Sequence, residues 1–218
     1  MKTSYLKASL LLFAVLGAVA ADASASIIDN TGITARIQPF GYYDTSTYGQ
    51  TFTVGADNVL NGFSMYLYGN MQTLNLRGYV AGWDGSKATS ILYTSTTRSV
   101  TPGQGLMEFS FDTGNLGLTE GQKYVMFLSV SDLGTQAYST YDMPTTNNSY
   151  AGGDFVYFNN GLDFGALTTR TWDCQECGIG DAAFKAKFSP STGNVPEPAS
   201  LALLGLGFAG MAALRRKA

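Results

Sequence analysis

The residues of this sequence that could do chemistry are mainly carboxylates, because the 218-residue chain contains no histidine. The lack of histidine excludes Ser-His-Asp and Cys-His catalysis and histidine-ligated metal sites. An enzyme would then need a pair of carboxylates, as in glycoside hydrolysis. The glutamates of the central region are Glu108, Glu120 and Glu176. Glu108 is predicted to point outward from a strand and Glu120 lies in a turn, so the sequence marks no catalytic pair.

Two cysteines lie close together in the sequence, Cys174 and Cys177. For an exported chain, which the N-terminus indicates, this pair predicts a local disulfide, because the compartment is oxidising. A zinc site would need about four ligands, and the chain has no second cysteine pair. Asp173, Glu176 and Asp181 could supply oxygen ligands to a structural calcium ion. No D-x-D-x-D-G loop occurs, so the sequence predicts no metal site and no cofactor.

Aromatic side chains beside polar groups are candidates for carbohydrate binding, because rings with a polar handle suit half-wet surfaces. Trp83 and Asp84 lie in a predicted turn. Tyr138, Tyr141 and Tyr150 lie in a Tyr-rich stretch that we expect to be an irregular loop, and loops often carry function. A tryptophan in a β-sandwich is more often part of the core, and this alternative stays open for Trp83.

The N-terminus has the pattern of a secretory signal peptide. Two lysines precede an apolar run over residues 8–20, and an Ala-x-Ala cleavage site ends at Ala25. Residues 1–25 are therefore predicted to be removed by a signal peptidase. A membrane anchor is the alternative, but the run is short for a span and a cleavage site follows it.

The C-terminus has three parts in a fixed order. These are Val195-Pro196-Glu197-Pro198, an apolar stretch over 199–214, and Arg215-Arg216-Lys217. As a helix, the apolar stretch would reach about 24 Å, which is marginal for a bilayer core of about 30 Å. The prolines keep Glu197 in an extended stretch. The basic residues should stay cytoplasmic, which leaves the protein body on the outer side of the membrane.

These three parts resemble the PEP-CTERM sorting signal of Gram-negative bacteria, here over residues 195–218. The resemblance implies a transmembrane helix over 199–214 and recognition by a membrane-embedded exosortase. The exosortase would cleave near Pro196-Glu197-Pro198 and release or transfer the body. The chain is then expected to pass through the inner membrane to the cell surface or the extracellular space. Proteins with this signal accompany exopolysaccharide and biofilm production. An ordinary tail anchor and an apolar core helix are the alternatives.

Removing both ends leaves one domain over residues 26–194. This part contains 8 basic and 14 acidic residues, so its net charge is 8 − 14 = −6. Such an acidic balance argues against nucleic acid and anionic membrane surfaces as partners. Gly, Thr, Ser, Asn, Tyr and Phe are plentiful, a composition that favours strands and turns.

Alternation of apolar and polar residues predicts short strands throughout this domain. They are expected in 50–54, 62–69, 75–83, 90–100, 106–114, 118–132, 153–161 and 181–190. Such regular short strands indicate an all-β sandwich or barrel, and the clean alternation argues against a parallel α/β sheet. The order of the segments resembles the jelly-roll sandwiches of bacterial secreted proteins. The fold class is therefore predicted as a jelly-roll-like antiparallel β-sandwich, an extracellular binding or structural module without inherited catalytic residues.

These observations predict a non-enzymatic surface or matrix protein that associates with extracellular polysaccharide. One alternative is a polysaccharide-acting enzyme that uses carboxylates, and another is a purely structural protein without a glycan ligand. A convergent carboxylate pair in an open groove would favour the enzyme. A row of exposed aromatic rings would favour binding, and the absence of both would favour a structural role.

Overall fold

The computed structural model describes residues 25–42, 45–69, 72–103, 105–174 and 178–191. All of them belong to one unit of tertiary contacts, Ala23–Thr192. The predicted signal peptide, apart from its last residue, lies outside the described residues, as does the whole predicted sorting tail with its helix over 199–214. Among the described residues, no helix has both the length and the apolar character needed to cross a membrane.

The described residues form thirteen strands and one single-turn helix. The strands are β1 (Ser26–Asn30), β2 (Ala35–Phe40), β3 (Thr47–Thr53), β4 (Val59–Tyr68), β5 (Leu74–Trp83), β6 (Ala88–Thr94), β7 (Arg98–Val100), β8 (Leu106–Gly117), β9 (Lys123–Ser129), β10 (Tyr141–Thr146), β11 (Phe155–Phe158), β12 (Asp181–Ala182) and β13 (Phe184–Ser189). The helix is α1 (Ala166–Thr169).

The strands build two sheets, and every pairing between strands is antiparallel. In the described part of the chain, the first sheet has the order β1-β13-β4-β10-β12, with β8 also paired to β4 and β2 paired to β10. The second sheet has the order β11-β3-β9-β5-β6, with β7 paired to β5. The predicted all-β antiparallel sandwich is confirmed, and the jelly-roll interpretation stays a prediction.

The main core lies between the inner faces of the two sheets. Successive strand residues point to opposite faces, so Phe63, Met65 and Leu67 of β4 enter this core. Phe184 and Ala186 of β13 join them from the neighbouring strand. The intervening residues of β4 and β13 consequently face outward, away from the second sheet.

A second hydrophobic cluster covers the outer face of the second sheet. The rings of Tyr79 and Phe127 stack on that face, with centroids 4.9 Å apart. Residues 159–174, which we call the covering segment, bring Trp172 edge-on against Phe127 at 5.5 Å. The indole nitrogen of Trp172 donates a 2.9 Å hydrogen bond to the carbonyl oxygen of Leu167. This segment therefore closes the second sheet's outer face with a satisfied, fully buried tryptophan.

Three strands have no counterpart in the sequence prediction, namely β1, β2 and β10. Strand β10 lies within the stretch 134–150 that the sequence pattern predicts as an irregular loop, and that prediction is wrong. Five of its six residues are buried, including every residue from Met143 to Thr146. A strand that is buried on both faces shows no alternation, so periodicity could not identify it.

The close approach of β5 to Phe111 makes a stability prediction at Gly78. A Cβ atom at Gly78 would lie 2.6 Å from the nearest atom of the Phe111 ring. Gly78→Ala is therefore expected to lower the free energy of unfolding by about 1–3 kcal/mol through overpacking. Urea denaturation measures this change.

The matched control is Gly117→Ala in β8, where an added Cβ meets nothing within 4 Å. This variant should stay within about 0.5 kcal/mol of the wild type. Equal destabilisation by both substitutions would contradict the packing of β5 against Phe111.

Candidate functional site

The two sheets differ in what lies on their outer faces. The covering segment fills the outer face of the second sheet. The outer face of the first sheet carries an open groove of about 860 Å³. We call it the outer groove; its lining includes Asp29, Gly62, Ser64, Asp112, Lys185 and Lys187. Concave surfaces with convergent polar groups are typical ligand sites, so this groove is the candidate functional site.

Strand register arranges the groove's side chains in rows across β1, β13, β4 and β8. Residues that oppose each other in an antiparallel pair lie on the same face. One row contains Ile27, Lys187, Gly62 and Asp112, and the next contains Asp29, Lys185, Ser64 and Ser110. The hydroxyls of Ser64 and Ser110 are hydrogen bonded to each other at 2.8 Å. The floor of the groove therefore carries polar side chains in register across these four strands.

Gly62 leaves a gap in the first row. A Cβ atom at this position would lie 2.7 Å from the carbonyl oxygen of Phe111, which excludes a side chain. Lys187 and Asp112 thus flank a strip of bare backbone. Their strands are two spacings apart, a separation of about 9.6 Å. A ligand lying on this strip could touch the ammonium group on one side and the carboxylate on the other.

A β-bulge forms the wall at one end of the groove. Between two consecutive paired positions of β4 and β8, β4 has one residue, Asn61. Strand β8 has three residues there, 113–115. Gly114 and Asn115 adopt positive φ angles of 65° and 61°, which is uncommon for a residue other than glycine. The side-chain amide of Asn61 donates a 2.7 Å hydrogen bond to the Asn115 amide oxygen. Bulges of this kind re-aim side chains and are frequent beside active sites.

Charged groups form the other end of the groove. The ammonium group of Lys185 lies 3.5 Å from a carboxylate oxygen of Asp29. A hydrogen bond from Thr31 and then the charge of Lys185 hold the pKa of Asp29 below its ordinary value. Tyr66 and Glu108 oppose each other in the adjoining row. Burial, followed by the negative charge of Glu108, raises the pKa of Tyr66, so the phenol stays protonated at neutral pH.

The carboxylates that line the groove are widely spaced along the sheet. Glu108 and Asp112 lie four residues apart on one strand, which separates their backbones by about 14 Å. Asp29 lies on β1, three strand spacings or about 14 Å from β8. Asp29, Glu108 and Asp112 therefore present hydrogen-bond acceptors at separate positions along the groove.

Two of the predicted glycan-binding rings are core residues. Trp83 is the last residue of β5, not part of a turn, and its indole packs edge-on against Trp172 with centroids 5.2 Å apart. Tyr141 is fully buried in β10 and its hydroxyl donates to the carbonyl oxygen of Gln72. The interpretation of Trp83 and Tyr141 as sugar platforms is corrected, because buried rings offer no face to a ligand.

The other predicted glycan-binding residues lie apart from the outer groove's lining. Tyr150 is half-buried and packs edge-on against Phe184, with centroids 5.2 Å apart. Tyr138 is 62% exposed in the loop before β10. Asp84 caps the turn after β5, where one of its oxygens accepts from the backbone N–H groups of Ser86 and Lys87. Glycan binding by Tyr138, Tyr150 or Asp84 stays a prediction.

Of the residues predicted for the disulfide and for calcium binding, Asp173, Cys174 and Asp181 are among the described residues. Cys174 is buried and disulfide-bonded, while its predicted partner Cys177 lies outside the described residues, as does Glu176. Asp173 accepts a hydrogen bond from the backbone of the covering segment. Nowhere in the described ranges do three His, Cys, Asp or Glu residues group so that they could hold a metal ion.

Asp181 is a fully buried carboxylate in β12. It accepts 2.9 Å hydrogen bonds from the side-chain amide of Gln50 and the backbone N–H of Tyr150. Burial raises the pKa of Asp181 despite these bonds. Its oxygens thus serve a structural network between β3 and β12.

Comparisons with known proteins concern the C-terminus and the fold. A family model described as the PEP-CTERM protein-sorting motif matches residues 194–217. The match confirms the predicted sorting motif, and the motif implies an exported protein that an exosortase processes. PEP-CTERM proteins are exported and sorted to the cell surface in Gram-negative bacteria. No curated protein matches this chain.

Among solved structures, two of the clostridial protein Cwp84 are similar to this chain. The first is the cysteine protease after propeptide cleavage, with 13% identity and a TM-score of 0.48 over 78% of this chain and 41% of that chain. The second contains the cysteine protease and lectin-like domains of Cwp84, a surface layer associated protein of Clostridium difficile. It shows 11% identity and a TM-score of 0.43 over 78% of this chain and 37% of that chain. This chain spans less than half the length of either.

The sequence pattern does not identify the outer groove as a site, although it does indicate that some of the groove's charged residues face outward. The alternation in β13 points Lys185 and Lys187 outward, and the alternation in β8 does the same for Glu108 and Asp112. The sequence does not show that β4 lies between these two strands. It also does not show that Gly62 leaves the space between them open.

The turn cap at Asp84 predicts a pH-dependent stability. Hydrogen bonds, first from Lys87 and then from Ser86, lower the pKa of Asp84 below its ordinary value of 3.8. A carboxylate with a lowered pKa stabilises the folded state above its ordinary pKa, and this contribution is lost as the pH falls through the folded-state value. Asp84→Asn should therefore lower the free energy of unfolding at pH 7 by about 0.5 kcal/mol, as for partly exposed ion pairs.

Urea denaturation at several pH values checks this expectation. The difference between wild type and Asp84→Asn should shrink as the pH falls below about 4. Glu120→Gln, on an exposed turn, is the matched control and should show little effect at any pH. A difference for Asp84→Asn that stays constant down to pH 2 would argue against the charge of Asp84 as its cause.

Proposed function

We propose that this chain is an exosortase-sorted surface or matrix protein that binds extracellular polysaccharide in the outer groove without cleaving it. The observation that carries this proposal is the difference between the two outer faces. One is closed by the covering segment, and the other holds a polar groove of about 860 Å³. The sorting motif supports the location, because it implies export of the domain that bears the groove.

The chemistry of the groove suits a ligand rich in hydroxyl groups. Carboxylates accept hydrogen bonds, ammonium groups donate them, and the amides of Asn61 and Asn115 can do both. Ile27, which is 59% exposed, lies in the same row as Lys187 and adds an apolar surface for the C–H groups of a sugar. In this proposal, binding in the groove relies on hydrogen bonds and on the exposed aliphatic side chain of Ile27, rather than on the aromatic stacking that the sequence predicts.

The carboxylates of the groove lie in separate rows or on separate strands, so the proposal uses them as hydrogen-bond acceptors. The backbones of Asp29, Glu108 and Asp112 are about 14 Å or more apart. In this proposal the domain is a non-enzymatic, jelly-roll-like module that associates with the exopolysaccharide of a biofilm.

Affinity electrophoresis of the processed protein tests the proposal, with gels that contain the extracellular polysaccharide of the producing cells. The wild type should be retarded. Asp112→Asn and Lys187→Gln should each weaken the apparent affinity about 5-fold, which corresponds to about 1 kcal/mol for one lost hydrogen bond. Lys123→Gln is the matched control, since Lys123 lies in β9 of the other sheet.

Unchanged mobility of the wild type, with no shortening of the polymer, would contradict binding and leave a structural role. Shortening of the polymer during incubation would instead support the carboxylate-dependent enzyme. Retardation that none of the groove variants reduces would place the binding surface elsewhere on the domain.

A further inference from the structure

We infer that the outer groove takes an uncharged polysaccharide chain and disfavours an acidic one. This inference rests on the proposed function and adds the chemical class of its ligand. It follows from how positive and negative groups are distributed within the groove.

The ionisable residues that line the groove are balanced in charge. Among the described lining residues, three are acidic and three are basic, namely Asp29, Glu108, Asp112, Arg98, Lys185 and Lys187. The groove therefore has no excess of one sign. A charged polymer gains affinity from a cleft whose lining has mainly one sign, and this groove does not supply that field.

Two of the three positive groups also have a negative group close to them. Lys185 lies 3.5 Å from Asp29. Arg98 and Asp112 lie near the same phenol, that of Tyr93. Burial raises the pKa of Tyr93 most, and Asp112 raises it further while Arg98 lowers it, so the two charges offset each other there. A carboxylate on a sugar would meet repulsion close to either of these two cations.

The remaining cation, Lys187, faces Asp112 across the bare backbone of Gly62. A chain of neutral rings on this strip can accept a hydrogen bond from Lys187 at one edge and donate one to Asp112 at the other. An acidic ring would satisfy Lys187 but would place its charge in the same row as Asp112. The net charge of −6 on residues 26–194 adds to the repulsion of an acidic polymer.

Substitutions on the two sides of the Gly62 strip distinguish a neutral ligand from an acidic one, because only an acidic ligand would make their effects on affinity opposite in sign. For a neutral ligand, Lys187→Gln and Asp112→Asn each remove one strong hydrogen-bonding group, so both should weaken binding 3- to 10-fold. For an acidic ligand, removal of the negative charge at Asp112 should strengthen binding, whereas removal of the positive charge at Lys187 should weaken it. Lys123→Gln on the second sheet is the control and should leave binding unchanged.

The probes are the extracellular polysaccharide of the producing cells, the same polymer after chemical reduction of its carboxyl groups, and polygalacturonate. Retardation of the processed protein should be equal within about 2-fold for the native and reduced polymers, and polygalacturonate should cause none. This retardation of the processed protein should also change less than about 2-fold when NaCl rises from 0.05 to 0.5 M. That increase shortens the electrostatic screening length about 3-fold.

Loss of retardation after carboxyl reduction, or stronger binding by Asp112→Asn, would overturn this inference while leaving polysaccharide binding intact. Retardation by polygalacturonate that is abolished by added NaCl would also overturn this inference and leave polysaccharide binding intact. Failure of the native and reduced polymers alike to retard the wild type would instead contradict the proposed function itself.

Discussion

The burial of Trp172 against the outer face of the second sheet is the interaction on which the proposed site depends. Its ring packs edge-on against both Phe127 and Trp83, and its nitrogen is satisfied by the covering segment itself. Without this packing, the stacked rings of Tyr79 and Phe127 would face solvent as an apolar surface. Because the aromatic residues are used to close this sheet, we propose the polar outer face of the other sheet as the ligand surface of the domain.

Strand order then determines what that polar face contains. Strand β13, near the end of the described chain, lies between β1 and β4. Its lysines are therefore beside β1 and are separated from the acids of β8 by β4. Gly62 keeps the space between Lys187 and Asp112 open because the carbonyl of Phe111 leaves no room for a side chain. The groove is thus a product of long-range pairing, and no short motif encodes it.

The sequence predicted the parts of this structure that depend on local pattern. Alternation in residues such as Phe63, Met65 and Leu67 identified most strands and the all-β class, and the tripartite C-terminus identified the sorting motif. The interpretation of Tyr141 failed because β10 is buried on both faces and shows no alternation. Trp83 was ambiguous because its environment depends on Trp172, distant in sequence. The groove could not be predicted, since it requires knowing which strands are neighbours.

The most direct test of this account is a map of backbone amide chemical shifts while the processed protein is titrated with oligosaccharides from the producing cells' polysaccharide. Shifts concentrated at Gly62, Asn115 and Lys187, with the covering segment unchanged, are the result that the account predicts. Shifts confined to the covering segment or to the loop around Tyr138, with the outer groove silent, would contradict it.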